Sequence, residues 1–286
     1  MKSCALILSH GRPRNVKTIG TLRRCGYTGE IAILLDDEDG TAQQYRETYP
    51  DCRFFVFSKR EEMRRPFASV DNFNVHGTVL YARNAAWKIM EGNGYTHFVM
   101  LDDDYTHFNF RWVCGSKLKG QVCKKLDNAF SAIFDWLDTS RAQVVALAQG
   151  GDFIGGADGS IKKPLFRKAM NVYFFRTDRK YLFTGAMNDD VNTYLLANQH
   201  GRMVFTLTFL SIMQEVTQSN KGGLTEMYLD NGTYRKSFFS VMVAPSCTKV
   251  SYVGGSGNGH THYRLHHIID WAHCAPKIIS GRWRKE

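Results

Sequence analysis

The sequence lacks any apolar run that approaches the roughly 20 residues needed for a helix to cross a membrane. The N-terminal apolar run is only Cys4–Leu8, which is too short for the core of a signal peptide. No small-residue cleavage site follows it. We therefore expect a cytoplasmic protein with no membrane partner.

Paired cysteine motifs, internal repeats and low-complexity linkers are also missing. The seven cysteines form an odd set without a Cys-x-x-Cys pair, which argues against a disulfide framework and against a zinc ribbon. We expect Cys4 and Cys52, which lie in apolar strand-like contexts, to be buried thiols. The 286 residues, 43% hydrophobic and 13% aromatic, exclude a disordered, coiled-coil or collagen-like chain and predict one compact domain.

Acidic residues are scarce relative to basic ones. The chain has 27 Asp and Glu against 37 Lys and Arg, and its formal net charge is +10 at pH 7. This excess indicates an anionic partner: nucleic acid, an anionic membrane surface or a phosphorylated ligand. Charge alone does not choose among these three.

Short apolar strands alternate with helices in the first half of the chain. The predicted strands are Ala5–Leu8, Ile31–Leu35, Phe54–Phe57 and Phe98–Leu101. The predicted helices are Val16–Arg24, Thr41–Tyr49 and Tyr81–Glu91. Continuous apolar strands that are each followed by a helix are typical of a parallel sheet covered on both faces.

The second half is less regular. Its predicted helices are Phe130–Leu137 and Asp190–Gln199, and its predicted strands are Val144–Ala148, Val172–Phe175 and Val204–Leu207. Glycine pairs bracket a predicted flexible loop at Gly150–Gly156. A glycine-rich loop is also predicted at Gly254–Gly259, directly before His260.

Polar side chains follow each of the first four predicted strands. Ligands of parallel sheets bind beyond the carboxyl ends of the strands, so this edge is the first candidate site. The clusters are Ser9, His10 and Arg12 after the first strand, Asp36 and Asp37 after the second, Lys59 after the third, and Asp102 to Asp104 after the fourth.

The acidic triplet and one arginine carry the chemistry of this edge. The spacing of Asp102 and Asp104 places them on the same side of an extended chain, where a divalent cation relieves their repulsion. The alternative is a solvated acidic turn. Arg83 lies near a helix N-terminus, against the helix dipole, which indicates that it faces an anion or a carboxylate rather than solvent.

The sequence Ala82-Arg83-Asn84 at the helix start, followed after that helix by Leu101-Asp102-Asp103-Asp104, resembles the nucleotide-sugar half of the GT-A glycosyltransferases. The resemblance implies an α/β fold: a Rossmann-like sandwich with a mostly parallel central sheet and helices on both faces, in a single domain. It also implies a nucleotide-sugar-binding half at residues 1–110. Residues 111–286 then form the acceptor-binding half, with a C-terminal metal-ligand segment.

The same resemblance implies a set of roles on the donor side. Asp104 holds a divalent metal, Mn²⁺ or Mg²⁺, together with His260 or His262. Asp102 contacts the ribose or a metal-bound water, and Arg83 contacts the diphosphate or braces Asp102. The full implied donor-binding set is Ser9, His10, Arg12, Asp36, Asp37, Lys59, Arg83, Asp102 and Asp103.

Two carboxylates are the candidates for proton transfer. Asp189 and Asp190 precede a predicted helix and are similar to the Glu-Asp pair of inverting members, which implies an inverting enzyme. Asp190 is the expected general base, with Asp189 orienting it or binding acceptor. The alternative is that both residues only cap the helix.

The basic surplus collects in three segments with interleaved aromatic residues, a pattern that suits phosphate contacts and base stacking. These are Arg111–Lys125, Ile161–Lys180 and Lys277–Lys285, with Trp112, Phe166, Tyr173 and Trp283. The expected acceptor-binding residues are Lys162, Lys163, Arg167, Lys168 and Arg264.

A compact basic GT-A domain resembles the bacteriophage enzymes that glycosylate hydroxymethylated pyrimidines in duplex DNA. This implies a UDP-sugar donor of glucose or arabinose type and 5-hydroxymethylcytosine, or else 5-hydroxymethyluracil, as acceptor. The enzyme would then act in the host cytoplasm, by groove insertion or by base flipping. The alternatives are a glycosyltransferase for a lipopolysaccharide or capsule sugar and a non-catalytic nucleic-acid-binding module.

Overall fold

The computed structural model describes residues 1–65, 70, 77–162, 167–215, 234–257, 260–274 and 281, and at 255–257 and 260–262 only the backbone. The strands in these ranges are β1 Ser3–Leu8, β2 Ile31–Asp36, β3 Arg53–Phe57, β4 His97–Asp102, β5 Tyr105–Cys114, β6 Lys117–Val122, β7 Val144–Ala148, β8 Tyr173–Arg176, β9 Val204–Gln214, β10 Thr248–Gly257 and β11 His260–Ile269. The helices are α1 Lys17–Arg24, α2 Ala42–Thr48, α3 Lys59–Met63, α4 Leu80–Gly92, α5 Leu126–Thr139, α6 Asp189–Gln199, α7 Tyr234–Val243 and α8 Trp271–Cys274.

One nine-stranded sheet crosses the molecule in the order β3-β2-β1-β4-β8-β7-β9-β5-β6. The pairings give seven of the nine strands one direction, and only β5 and β8 are reversed. The mostly parallel sheet expected from the sequence is therefore confirmed. Leu8 lies opposite both Leu34 and Asp102, so the ends of β1, β2 and β4 meet at one edge.

Both faces of the sheet are covered because its strands are apolar on both sides. Leu6 and Leu8 pack into the core cluster that contains Trp87 of α4 and Tyr194 of α6. The alternate residues of β1 join the opposite cluster, which contains residues of α1 and α5. This is the α/β sandwich, with helices on both faces, that the sequence predicts.

Several expectations for the second half are wrong. The basic segment Arg111–Lys125, whose basic residues were expected along loops, lies mostly in β5 and β6. Tyr173 is fully buried and stacks on Phe175 at 5.7 Å, so its ring is not available to a nucleobase. The predicted glycine-rich loop is largely strand β10, while residues 258–259 lie outside the described ranges.

Three other expectations concern the flexible loop, the cysteines and the helices. The segment expected to be a flexible loop forms short 3-10 turns at Gly150–Phe153 and Gly156–Asp158. All seven cysteines are free; Cys4 is buried as expected, whereas Cys52 is only half-buried. In the described ranges, no helix has the length and apolar character to cross a membrane.

Candidate active site

A cleft of about 440 Å³ opens at the carboxyl edge of the sheet. The ends of β1, β2, β3 and β4 and the first turn of α4 form its walls, as the parallel strand order dictates. The polar residues that line it are Ser9, His10, Arg12, Asp36, Lys59, Thr78, Arg83, Asp102, Asp103 and Asp104. The structure thus brings together residues that the sequence singled out from four separate strands.

The middle aspartate of the triplet is held by its neighbours. Asp103 accepts hydrogen bonds from Ser9 Oγ at 2.6 Å and from Arg12 Nη1 at 2.9 Å, and it is only 5% exposed. Tyr45 also contacts both partners, since its hydroxyl lies 2.8 Å from Ser9 Oγ and accepts the Arg12 N–H at 2.8 Å. Asp103 therefore fixes the loop after β1 to the end of β4.

Asp102 and Asp104 are the half-buried members of the triplet and both line the cleft. Burial, together with repulsion from the adjacent carboxylates, raises the pKa of each to about 6. Ionised carboxylates in this arrangement are oxygen ligands of the kind that Mg²⁺ and Mn²⁺ prefer. The two residues thus fit a divalent cation.

Further ligands are needed to complete such a metal site. The described side chains contain no group of three or more His, Cys, Asp or Glu that could hold a metal ion. His260 and His262 belong to β11, but the structure describes only their backbone. A cation at Asp102 and Asp104 would therefore need a ligand such as a diphosphate, water or one of these histidines.

The ends of β1 and β2 are joined by a second polar pair. His10 Nδ1 lies 2.7 Å from Asp36 Oδ2, and this hydrogen bond raises the pKa of His10. Lys59 Nζ lies 3.8 Å from Asp36. Asp37 does not line the cleft; its carboxylate accepts the backbone N–H of Lys59 at 2.9 Å. Of the two aspartates that the sequence left open, Asp36 is the one in the cleft.

Arg83 connects the triplet to the Asp189–Asp190 pair. Its Nη1 donates to Asp189 Oδ2 at 2.7 Å, and its Nη2 lies 3.8 Å from Asp102 Oδ1. The guanidinium is 4% exposed and lies over the rings of Tyr173 and Phe183. The expectation that Arg83 faces a carboxylate is confirmed, and it faces two.

The two aspartates at the start of α6 have different partners. Asp189 forms an ion pair with Arg83, and burial raises the pKa of the Asp189 carboxyl. Asp190 Oδ1 accepts the N–H of Val191 at 2.8 Å, and among the described residues Asp190 has no ion pair. Its carboxylate is the freer of the two to accept a proton.

The expected acceptor residues separate into different environments. Lys162 is exposed and pairs with Asp158, and Lys163 lies outside the described ranges. Arg167 donates hydrogen bonds to Asp152 and to the backbone carbonyls of residues 160 and 161. Lys168 lines a second pocket of about 350 Å³, and Arg264 is exposed on β11.

Two further residues support the cleft, and neither stands out in the sequence. Tyr45 is fully buried and reaches across to Ser9, and Asp39 accepts the N–H of Gly11 at 2.9 Å. Tyr45 lies within a predicted helix with no distinguishing motif. Asp39 is one of four acidic residues in a row, and only its position relative to Gly11 separates it from the others.

Comparison with solved structures finds distant likenesses. Glucosyl-3-phosphoglycerate synthase from Mycobacterium tuberculosis, in complex with Mn²⁺, UDP and phosphoglyceric acid, is 11% identical; the match covers 94% of this chain and 87% of that one, with a TM-score of 0.47. TarS from S. aureus is 12% identical over 74% of this chain and 60% of that one, with a TM-score of 0.43. No curated protein sequence matches the chain.

A family match covers most of the sequence. Residues 5–223 match the TET-associated glycosyltransferases. The matched range contains all the residues that line the cleft, Arg83 and both aspartates at the start of α6. With its mostly parallel α/β sheet and its cleft at the carboxyl edge, the chain belongs to the TET-associated glycosyltransferase family and is a glycosyltransferase.

Proposed function

We propose that this glycosyltransferase transfers a sugar of glucose or arabinose type from a UDP-sugar to the hydroxyl of 5-hydroxymethylcytosine in phage DNA, with inversion at the anomeric carbon. The association with TET enzymes for which the family is named supports hydroxymethylcytosine as the acceptor base. The net charge of +10 supports a polyanionic acceptor. The hypothesis of a non-catalytic binding module does not agree with the family.

The observation that carries the proposal is the chain of ionic contacts across the cleft. Asp102 and Asp104 stand at the nucleotide end of the sheet, Arg83 contacts Asp102 and Asp189, and Asp190 follows Asp189. A donor site and a candidate proton acceptor are therefore fixed to one another by a buried arginine. Such fixed relative positions are what transfer between two bound substrates requires.

The proposed chemistry gives one set of residues to the acceptor and another to the nucleotide-sugar donor. Asp190 takes the proton of the acceptor hydroxyl, whose oxygen bonds to the anomeric carbon while the bond from that carbon to the diphosphate oxygen breaks. We assign His10 and Asp36 to the uridine, and Asp102 to the ribose or a metal-bound water. Asp104 would hold a divalent ion, which would supply positive charge to stabilise the departing diphosphate.

Mass spectrometry of modified DNA tests this proposal. Duplexes with hydroxymethylcytosine, hydroxymethyluracil or cytosine are incubated with a panel of UDP-sugars in Mn²⁺, Mg²⁺ or EDTA. We expect the mass of one hexose or pentose to be added to hydroxymethylcytosine DNA, with loss of the product in EDTA. Transfer to lipopolysaccharide or capsule oligosaccharides, with none to DNA, would overturn the acceptor assignment.

A further inference from the structure

The second pocket contains two unused hydrogen-bond donors. Its walls include Gln149, Lys168, Met170 and Trp271, and it encloses about 350 Å³. Among the described residues, Gln149 Nε2 is buried without a hydrogen-bond partner. In the described part of the chain, Lys168 Nζ has neither a hydrogen bond nor an ion pair. A buried donor without a partner is costly, and a polar occupant of the pocket would satisfy Gln149 and also pair with the half-buried Lys168.

This pocket adjoins the face of α6 that carries Asp190. Tyr194 lies one helical turn after Asp190 and thus on the same face of the helix. Its ring stacks on the pocket residue Trp271, with the ring centroids 6.0 Å apart and the planes 14° from parallel. The negative charge of Asp190 also acts on Lys168, the basic side chain of the pocket.

Positive charges gather at the same place. Burial and the nearby charges of Lys236 and Arg264 lower the pKa of Lys168. Burial and the same three cations lower the pKa of His266 to about 4, and His267 is also kept neutral there. A cluster of like charges beside a pocket is stabilised by a bound anion, and DNA phosphates are the anions that the proposed acceptor supplies.

We propose that this pocket receives the acceptor nucleotide swung out of the DNA duplex, while Lys168, Lys236 and Arg264 hold the phosphates on either side of it. The inference rests on the proposed function and specifies how the acceptor enters. Asp190 is only 9% exposed, and a base stacked inside a duplex cannot bring its hydroxymethyl group to so enclosed a carboxylate. The pocket volume of about 350 Å³ is that of a small-molecule site, which is far too small for a double helix.

The walls of the pocket suit a nucleobase. Trp271 offers an aromatic surface and Met170 a polarisable thioether. Gln149 and Lys168 supply hydrogen-bond donors, which pair with the carbonyl and ring nitrogen acceptors of cytosine. An extruded base read by stacking and by a few polar side chains is the usual solution for enzymes that modify bases in duplex DNA.

Fluorescence of 2-aminopurine placed beside the hydroxymethylcytosine reports extrusion directly. The Asp190→Asn variant with UDP should bind the duplex without turnover and raise the fluorescence several-fold. Adding Lys168→Met or Trp271→Ala to this variant should remove most of the rise. Adding Lys88→Met, which changes an exposed lysine on α4, should leave it intact. Thermal melting of each variant shows whether it is folded.

Kinetics with otherwise wild-type protein provide the second measurement. Lys168→Met should raise KM for duplex acceptor about tenfold or more, equivalent to one lost charge-assisted contact, and leave KM for UDP-sugar unchanged. A mismatch opposite the modified base lowers the cost of extrusion and should increase the rate.

Sugar transfer without any fluorescence rise, or with unchanged KM in Lys168→Met, would overturn the pocket assignment. No transfer to any DNA would instead overturn the proposed function.

Discussion

The three aspartates at the end of β4 behave differently because their neighbours differ. All three line the cleft, but Asp103 is hydrogen-bonded to Ser9 and Arg12 and is the most buried of the three. Asp102 ends β4, whereas Asp103 and Asp104 form the turn before β5, where Asp103 meets residues of the loop after β1. The Asp-x-Asp pattern thus has a structural member as well as two members available to ligands.

Replacing Asp104 should stabilise the metal-free protein at neutral pH. Its pKa is raised from 3.8 to about 6, so the folded protein holds this proton more tightly than the unfolded chain does. Stability therefore falls as pH rises from about 4 to about 6 and stays lower above that range. We expect metal-free Asp104→Asn to melt a few degrees above wild type at neutral pH, with the gap narrowing towards about pH 5.

Calorimetry with and without Mn²⁺ provides the measurement. Added Mn²⁺ should raise the Tm of the wild type and have little effect on the variant, because ligand binding to the folded state stabilises it. The exposed Asp51→Asn serves as the control and should follow wild type. Equal melting of Asp104→Asn and wild type at every pH would contradict the repulsion argument.

Asp190→Asn should abolish transfer while donor binding survives. A positioned general base contributes about 10²- to 10⁴-fold to the rate, and the amide cannot accept the proton. Sugar transfer measured by mass spectrometry, alongside UDP-sugar affinity from calorimetry, separates the two effects. Asp189→Asn provides the comparison. Transfer retained in Asp190→Asn and lost in Asp189→Asn would move the base to Asp189.

Arg83→Met should strongly destabilise the protein because it leaves Asp189 and Asp102 without their cation. Removing one partner of a buried ion pair typically costs about 3–5 kcal/mol. The double variant Arg83→Met/Asp189→Asn should recover part of this loss, since it also removes the unpaired carboxylate. Lys180→Met, which breaks an exposed pair with Glu91, should cost less than about 1 kcal/mol. Denaturant unfolding measures all three; equal losses in the single and double variants would show that the ion pair is not the cause.

At the scale of secondary structure, the predictable elements are those with continuous apolar runs. β1, β2, β4 and α4 agree with their predicted bounds to within two residues, because buried strands and one-sided helices impose their own spacing. The β5–β6 and β10–β11 hairpins were missed. Their strands are rich in charged residues or glycine, and cross-strand pairing rather than composition defines them.

The end of α1 provides a sharp test of local packing. Gly26 has φ of +84°, and a Cβ there would lie 2.4 Å from the carbonyl oxygen of Lys124. Gly26→Ala should therefore cost about 2 kcal/mol, through backbone strain and displacement of the chain entering α5. A Cβ on Gly92, the last residue of α4, would meet no atom of the described residues. Gly92→Ala should therefore be neutral or stabilising by up to about 1 kcal/mol. Urea unfolding measures both, and equal effects would contradict the contact.

At the scale of the whole molecule, acids and bases are segregated. Acidic residues gather at the cleft, where Asp36, Asp102, Asp103 and Asp104 line its wall. Basic residues extend along the β5–β6 hairpin at the edge of the sheet. The register pairs Trp112 with Lys119 and Cys114 with Lys117, so both lysines share a hairpin face with an exposed tryptophan. This face suits the backbone of a nucleic acid.

Reversing those two charges should weaken DNA binding regardless of sequence. For Lys117→Glu/Lys119→Glu we expect a higher Kd and a slope of log Kd against log salt that is smaller by about 2, since each lost phosphate contact removes about 1. Fluorescence anisotropy over a salt series measures this. Lys88→Glu on α4 should leave the slope unchanged. A slope identical to wild type in the hairpin variant would exclude this face from the DNA contact.

The α/β class, the strands of the first half and the edge at which polar residues collect follow from the amino-acid sequence alone. Those features depend on local hydrophobic spacing and on the geometry common to parallel strands. Three features of the site depend on the tertiary fold. Asp103 is hydrogen-bonded to Ser9, and Asp36 lines the cleft whereas Asp37 does not. Arg83 binds Asp189, which lies 106 positions away in the chain. Partners so distant in the chain are set by strand order and side-chain packing, which no short stretch of sequence contains.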